Sequence, residues 1–326
     1  MNIAIDVMSG DNAPYEIIKG ACISAKKHFD IKFTLIGDEN IISDELSKYE
    51  PLDNIEIMHT VQVLTMEDDP MSVMKEKSDS SMAVGLRALK EGNVDAFLSA
   101  GNTGALHVGS TLTVRKMKGV RRSAIATVIP FENPILMMDS GANLDVTADI
   151  LDQWSVVGSI YASKMLGIEN PRVGLLNNGT EEHKGTPVFQ DAYKMLKHNP
   201  RINFVGNVEA KSLPNSPCDV LITDGFTGNV LLKTIEGMGK MFSKKLKGIF
   251  LKNILSKLSY LLIRKDFKKF KNSFDASAYG GAPLLGLSKP VIKAHGSSKS
   301  KDIISAVEQI ITFVDSKIIE TVIAEL

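Results

Sequence analysis

The chain has 326 residues, 44% of them hydrophobic and 23% charged, which fits a folded globular protein and excludes a disordered or fibrous one. Its two cysteines, Cys22 and Cys218, are too few for a disulfide framework and lack metal-ligand spacing, so a reducing cytoplasm is expected. The net charge is zero, yet residues 240–271 hold eleven Lys/Arg against the single acid Asp266, so this segment carries ten positive charges and the rest of the chain ten negative.

The N-terminus meets an acid at Asp6 and has no basic leader, so it reads as a first strand and not as a signal peptide. Short apolar runs follow at 3–7, 33–37, 94–99, 135–139, 173–177 and 218–223, each closing near a glycine turn ahead of a helical pattern. Strands alternating with helices predict an α/β protein, a mostly parallel sheet covered on both faces. Helical spacing covers 72–90 and 147–166. Thr186-Pro187 has the form of an N-cap and a first-turn proline, opening a helix to about Lys197. Apolar residues three and four apart predict a last helix over 302–325. No linker separates domains, so residues 1–326 are expected to form one α/β catalytic unit. No run approaches the roughly 18 apolar residues of a membrane-spanning helix.

The chain contains an internal echo. Val94 to Ala105 resembles Cys218 to Asn229, with Asp95/Asp219, Gly101/Gly225, Thr103/Thr227 and Gly104/Gly228 coinciding. Each copy is a buried strand, then Gly-x-Thr-Gly, then a helix whose first N–H groups suit phosphate or a developing oxyanion. Either copy alone is a tight turn that needs glycine for backbone shape. The pair, flanked by polar residues, points to phosphate handling. Asp95 and Asp219 are expected to cap turns, and Cys218 to be a small core residue. Other polar glycine loops follow strands: Asp6 to Asp11, Asp139 to Asn143, Leu175 to Gly185, Tyr279 to Gly286 and His295 to Ser298.

These motifs bring a resemblance into focus. D-x-M-x-G-D, S-A-G-N-T-G-A, D-x-G-A-N, L-L-N-x-G-x-E-x-x-K-G, F-x-G-N-V-E (204–209), D-G-F-x-G-N-V-x-L-K (224–233), Y-G-G-A-x-L-L-G and H-G-S-S run in one order from residue 3 to residue 298. Together they closely resemble the acyl-ACP:phosphate acyltransferases of bacterial phospholipid synthesis, ACP being acyl carrier protein. One departure is Ser9, where that family usually has glycine. The resemblance implies a three-layer α/β/α homodimer similar to phosphotransacetylases and isocitrate/isopropylmalate dehydrogenases. It also implies transfer of a long-chain acyl group from acyl-ACP to inorganic phosphate, the acyl phosphate then feeding a membrane glycerol 3-phosphate acyltransferase.

Phosphate is itself a nucleophile, so this chemistry needs no Ser or Cys nucleophile; it needs the anion positioned and the tetrahedral oxyanion held. Candidate donors are the N–H groups of Gly101, Asn102, Thr103, Gly104, Gly225, Thr227 and Gly228, with the amides of Asn102 and Asn229. Asp6, Gly10, Asp11, Ser99, Asn143 and His295 complete the expected phosphate and substrate contacts. Lys184 can pair with phosphate or polarise the carbonyl, or be a solvated loop lysine. Asp224 can orient Lys184 or act as a base. His183 and His295 can carry the leaving thiol's proton or serve only to hold loop backbone. No metal or cofactor is expected.

From Met238 to Ile263 apolar residues recur every three or four positions with lysines between them, a basic amphipathic helix or helix pair with Gly248 and Asn253 as break points. Phe242, Lys244, Lys245, Leu246, Ile249, Phe250, Ile254, Leu258, Leu261 and Leu262 are the expected contacts with an anionic membrane surface. An acyl carrier protein dock is the rival for 238–271. Nucleic-acid binding is disfavoured by one Trp and the lack of a recognition motif. The competing functions are an oxidoreductase, which lacks a G-x-G-x-x-G after a strand, a phosphotransacetylase using acyl-CoA, and a non-catalytic membrane adaptor.

Overall fold

In chain order the elements begin β1 (Asn2–Asp6), α1 (Tyr15–Lys27), β2 (Lys32–Gly37), α2 (Glu39–Leu46), β3 (Ile55–His59), α3 (Ser81–Glu91), β4 (Ala96–Ser99) and α4 (Thr103–Thr113). They continue with β5 (Ala124–Ile129), β6 (Ile135–Met138), α5 (Ala148–Leu166), β7 (Arg172–Asn177), α6 (Pro187–His198), β8 (Asn203–Glu209) and β9 (Val220–Ile222). The last are α7 (Gly225–Phe250), α8 (Ile254–Asn272), β10 (Ala282–Leu285), β11 (Val291–Lys293), α9 (Ser300–Asp315) and α10 (Ile318–Glu325). The structure is a computed structural model and describes residues 1–252, 254–272 and 279–326.

All six strand runs read from the sequence are strands, and β3, β5, β8, β10 and β11 add to them. The chain packs as two compact units, one of Met1–Ile125, Lys164–Gly167 and Tyr279–Leu326, the other of Ala126–Ser163 and Ile168–Ala278. In the first, strands run β3-β2-β1-β4-β11-β10, parallel except for β10, and Ala124 and Ile125 of β5 pair with β10. In the second the order is β5-β6-β9-β7-β8, where only the β5–β6 pair is antiparallel. Parallel strands buried on both faces read as continuous apolar runs, as in β4 and β6, whose residues are all buried.

The first core joins Ile3, Ile5, Phe33, Leu35 and Leu98 to Ile17, Ile18, Ile303 and Ile310 of α1 and α9. The second joins Ile135, Met137, Leu176, Val208 and Leu221, with Leu231, Leu232 and Ile235 of α7 packed against it.

Helix ends depart from the periodicity in three places. The stretch 72–90 is broken: a 3-10 turn spans Pro70–Met74, and α3 starts only where the Ser80 hydroxyl caps the Ala83 N–H. Pro70 and Val73 of that turn pack over Gly104 and Gly109 of α4, and this tertiary contact overrides a continuous helix. The last helix is two, because Lys317 adopts φ +53° between α9 and α10. In the basic segment Gly248 continues α7, which ends at Phe250; Asn253 lies outside the described residues.

Candidate functional site

The echo survives as structure. Asp95 and Asp219, expected to cap turns, instead each pin the start of the neighbouring parallel strand. Asp95 accepts from Asn2 N at 2.7 Å, and Asp219 accepts from Arg172 N at 2.8 Å and from its guanidinium at 2.9 and 3.1 Å. That guanidinium, with the backbone bond, holds the Asp219 carboxyl below its usual value against the opposing cost of burial. The two turns diverge beyond the strands. Asn102 caps α4 through Ala105 N at 3.0 Å, whereas Asp224 caps α7 through Thr227 N at 2.8 Å. The capping positions are not equivalent in the two copies.

In the first unit the ends of β1, β4 and β11 carry the polar groups. The buried Asp6 carboxylate accepts from Ser99 Oγ at 2.7 Å, and Ser99 Oγ accepts from Gly101 N at 3.1 Å. With Gly101 and Ala105 engaged, the N–H groups of Asn102, Thr103 and Gly104 make no hydrogen bond among the described residues and are open to an anion. Asn102 also donates to Met66 O and Asp68 O, both at 3.1 Å. Gly10, at φ +115°, lets the turn after β1 approach β4: a Cβ there would lie 3.0 Å from Ala100 Cβ. Asp11 N donates to Gly296 O at 2.8 Å, and His295 Nδ1 lies 2.9 Å from Ser297 Oγ on an exposed loop. Ser9 is buried, and its hydroxyl has no hydrogen-bond partner among the described residues.

Lys293, absent from the sequence expectations, is 7% exposed at the end of β11. Its ammonium donates to Ala100 O at 3.2 Å and to Ala294 O. Burial pushes it down to about 8, against the opposing pull of the Asp6 and Asp11 carboxylates. The available signal was one lysine inside the apolar run Pro290 to Ala294, directly before His295-Gly-Ser-Ser.

In the second unit Asp139 is fully buried and its carboxylate gathers its own turn: Gly141 N at 3.0 Å, Ala142 N at 3.0 and 3.2 Å, Asn143 N at 2.7 Å and Asn143 Nδ2 at 2.8 Å. The α7 turn abuts it. Gly225 N donates to Asn143 O at 2.7 Å, and a Cβ on Gly228 would sit 2.0 Å from Asp139 O. These glycines therefore permit backbone contact. The N–H groups of Gly225, Thr227 and Gly228, expected as anion donors, are spent on Asn143 O, Asp224 Oδ1 and Asp224 O. Asp224 is further committed by Thr227 Oγ1 at 2.7 Å. The half-buried Asn229 lies against this turn, its Cβ and Cγ 3.5 Å from where a Cβ on Gly141 would stand.

The loop from Asn178 to Thr186 carries His183 and Lys184. Thr186 holds the N-cap position ahead of Pro187, but its hydroxyl makes no cap bond. Lys184 is half-buried, its Cγ and Cδ packed over Gly179, and its ammonium forms no ion pair among the described residues. Lys184 and His183 help to hold the Glu181 carboxyl below its usual value, behind the larger effect of its bond to its own backbone. His183 is exposed. Burial pushes the thiols of Cys22 up to about 11 and Cys218 up to about 12, so neither is a thiolate nucleophile at neutral pH. No group of three metal-ligating side chains occurs among the described residues.

On α7 and α8, Lys244, Lys245 and Phe242 are exposed, Leu246 is half-buried, and Ile249 and Leu262 are 61% and 86% exposed. Phe250 is engaged within the helix pair, its ring centroid 5.7 Å from Tyr260 and 6.1 Å from Phe267. The side chains of Ile254, Leu258 and Leu261 lie outside the described residues. No described helix is long and apolar enough to cross a membrane.

Comparison with known proteins adds the family. A family model described as fatty acid synthesis protein matches residues 1–321. A phosphate acyltransferase from Alkaliphilus oremlandii is 45% identical over 322 residues, covering 98% of this chain and 96% of the relative. Another from Oceanobacillus iheyensis is 44% identical, covering 99% and 97%. Among solved structures, a phosphotransacetylase from Streptococcus pyogenes superposes with TM-score 0.63 at 17% identity, covering 98% of this chain and 94% of that one. One from Staphylococcus aureus gives 0.58 at 14% identity, covering 97% and 94%. These likenesses show the fold, α/β with a mostly parallel sheet. The match along nearly all of its length makes this chain a member of the fatty acid synthesis protein family.

Proposed function

We propose that the protein transfers a long-chain fatty acyl group from acyl-ACP to inorganic phosphate, releasing acyl phosphate for phospholipid synthesis. The observation that carries this reading is identity of 45% to a phosphate acyltransferase along nearly the whole of both chains. A phosphate oxygen attacks the thioester carbon, a C–O bond forms, and the tetrahedral oxyanion collapses with cleavage of the C–S bond. The carrier thiolate leaves and takes up a proton. Lys184 supplies the cation for phosphate, and the Asn229 amide donates to the oxyanion. In the first unit Thr103 and Gly104 offer N–H groups to an anion. Asp224, bound to Thr227, serves as the cap that holds the start of α7. His183 and His295 are the available proton carriers.

The partners in this reading are acyl carrier protein, phosphate, a second copy of the chain, and a downstream membrane glycerol 3-phosphate acyltransferase. The exposed lysines and apolar residues of α7 and α8 support peripheral attachment of a cytoplasmic enzyme to an anionic membrane.

The test is acyl-phosphate formation from purified protein, long-chain acyl-ACP and phosphate, trapped with hydroxylamine, with acyl-CoA run in parallel. Phosphate-dependent product from acyl-ACP is the expected result. Product from acyl-CoA alone would transfer the assignment to a phosphotransacetylase, and none from either donor would leave a non-catalytic adaptor.

A further inference from the structure

The loop that carries Lys184 is held by an unusual concentration of side-chain amides. Asn207 Nδ2, from β8, donates to Glu181 O at 2.8 Å. Asn177 Nδ2, at the end of β7, donates to Lys184 O and to Asn207 Oδ1, both at 3.1 Å. Gln190 Nε2, from α6, donates to His183 O at 2.8 Å and Gly185 O at 3.1 Å. Three amides thus engage the carbonyls of residues 181, 183, 184 and 185. Glu182 is tied by its side chain to Lys197 at 2.5 Å and Tyr193 at 3.2 Å. Gly185 sits at φ +88°, and a Cβ there would meet Asn177 Oδ1 at 2.7 Å, so the loop closes tightly on Asn177.

Loops are ordinarily the mobile part of a fold, and their backbone groups are satisfied by water. Here two adjacent strands and a helix fix the loop carbonyl by carbonyl, and Asn207 is only 7% exposed. Against this rigid frame, the Lys184 ammonium enters no ion pair among the described residues, although its charge acts on the exposed Glu181 carboxylate of the same loop. A frame that spends its amide donors on backbone and ties the lysine into no ion pair suits a cation held ready for an anion.

We propose that Asn207, acting with Asn177 and Gln190, is a positioning residue that aims Lys184 at phosphate. The proposal rests on the role given to Lys184 above and adds the device that fixes its direction. It also gives a role to the asparagine of the F-x-G-N-V-E run.

The experiment is a double-mutant cycle on the full chain, with Asn207→Ala, Lys184→Ala and the pair, read by hydroxylamine-trapped acyl phosphate. Asn207→Ala is expected to lower kcat/KM about 10- to 100-fold. The loss should be carried by a raised KM for phosphate, with the KM for acyl-ACP unchanged. In the Lys184→Ala background the same substitution should change activity less than twofold, because its target is gone. Equal fold-losses in both backgrounds, with Lys184→Ala itself crippling, would overturn the positioning role alone. A Lys184→Ala enzyme within twofold of wild type would overturn the role of Lys184 and the proposal with it. Should Asn207→Ala fail to fold, Gln190→Ala, which removes the bonds to the His183 and Gly185 carbonyls of the same loop from a half-buried helical site, carries the same cycle with the same two deciding outcomes.

Discussion

Lys293 makes stability depend on pH in a way that one substitution isolates. Burial lowers its pKa from 10.5 to about 8, and at 1.36 kcal/mol per pKa unit the penalty on the charged form is about 3 kcal/mol. Below about pH 8 the amine is charged in folded and unfolded chains alike, and that penalty is present in full. Between about 8 and 10.5 the folded protein has released a proton that the unfolded chain retains, so stability rises with pH across this window. Lys293→Met preserves an unbranched side chain of similar length and removes the titration. It leaves Ala100 O and Ala294 O without their donor, a cost that does not vary with pH. Urea unfolding followed by circular dichroism at pH 7 and pH 10 measures both proteins. The difference between wild type and variant should shift in favour of wild type by about 2–3 kcal/mol on going to pH 10. An unchanged difference, or a shift favouring the variant, would refute the buried-cation argument.

Other perturbations follow from close contacts and surface charge. Gly228→Ala places a Cβ 2.0 Å from a backbone oxygen and should cost about 3 kcal/mol or more, whereas Gly237→Ala on the same helix meets nothing within 4 Å and should stabilise by about 0.5–1 kcal/mol; thermal melts compare the two. Asp139→Ala strips the acceptor from four N–H donors in a buried turn and should destabilise by about 3 kcal/mol or more, measurable by urea unfolding. Exchanging Lys244, Lys245 and Lys247 for glutamine should reduce co-sedimentation with anionic vesicles, at about 1 kcal/mol per charge removed; undiminished binding would end the membrane reading.

The central strands, α5, α6 and the basic helix pair were legible because their signals are local: continuous apolar runs for strands buried on both faces, and period 3.6 for helices. The glycine loops were legible as a set for the same reason. The strand β3, with only intermediate or exposed residues, and the short β10 and β11 carry too weak a pattern to declare themselves without partners. The break before Ser80 belongs to the packing of Pro70 and Val73 on α4.

At the site, sequence alone determined which polar and glycine residues follow which strands, which points to phosphate handling, and the order of those motifs carries the resemblance that implies acyl transfer. Tertiary structure decided which of their hydrogen-bonding groups remain for a ligand. Gly225, Thr227 and Gly228 look like donors to an anion until Asn143 and Asp224 are seen to take their N–H groups. Lys293 looks like one surface lysine among many until the ends of β4 and β11 close around it. A donor is available only if nothing nearer satisfies it, and that depends on residues distant along the chain that folding brings within about 3 Å.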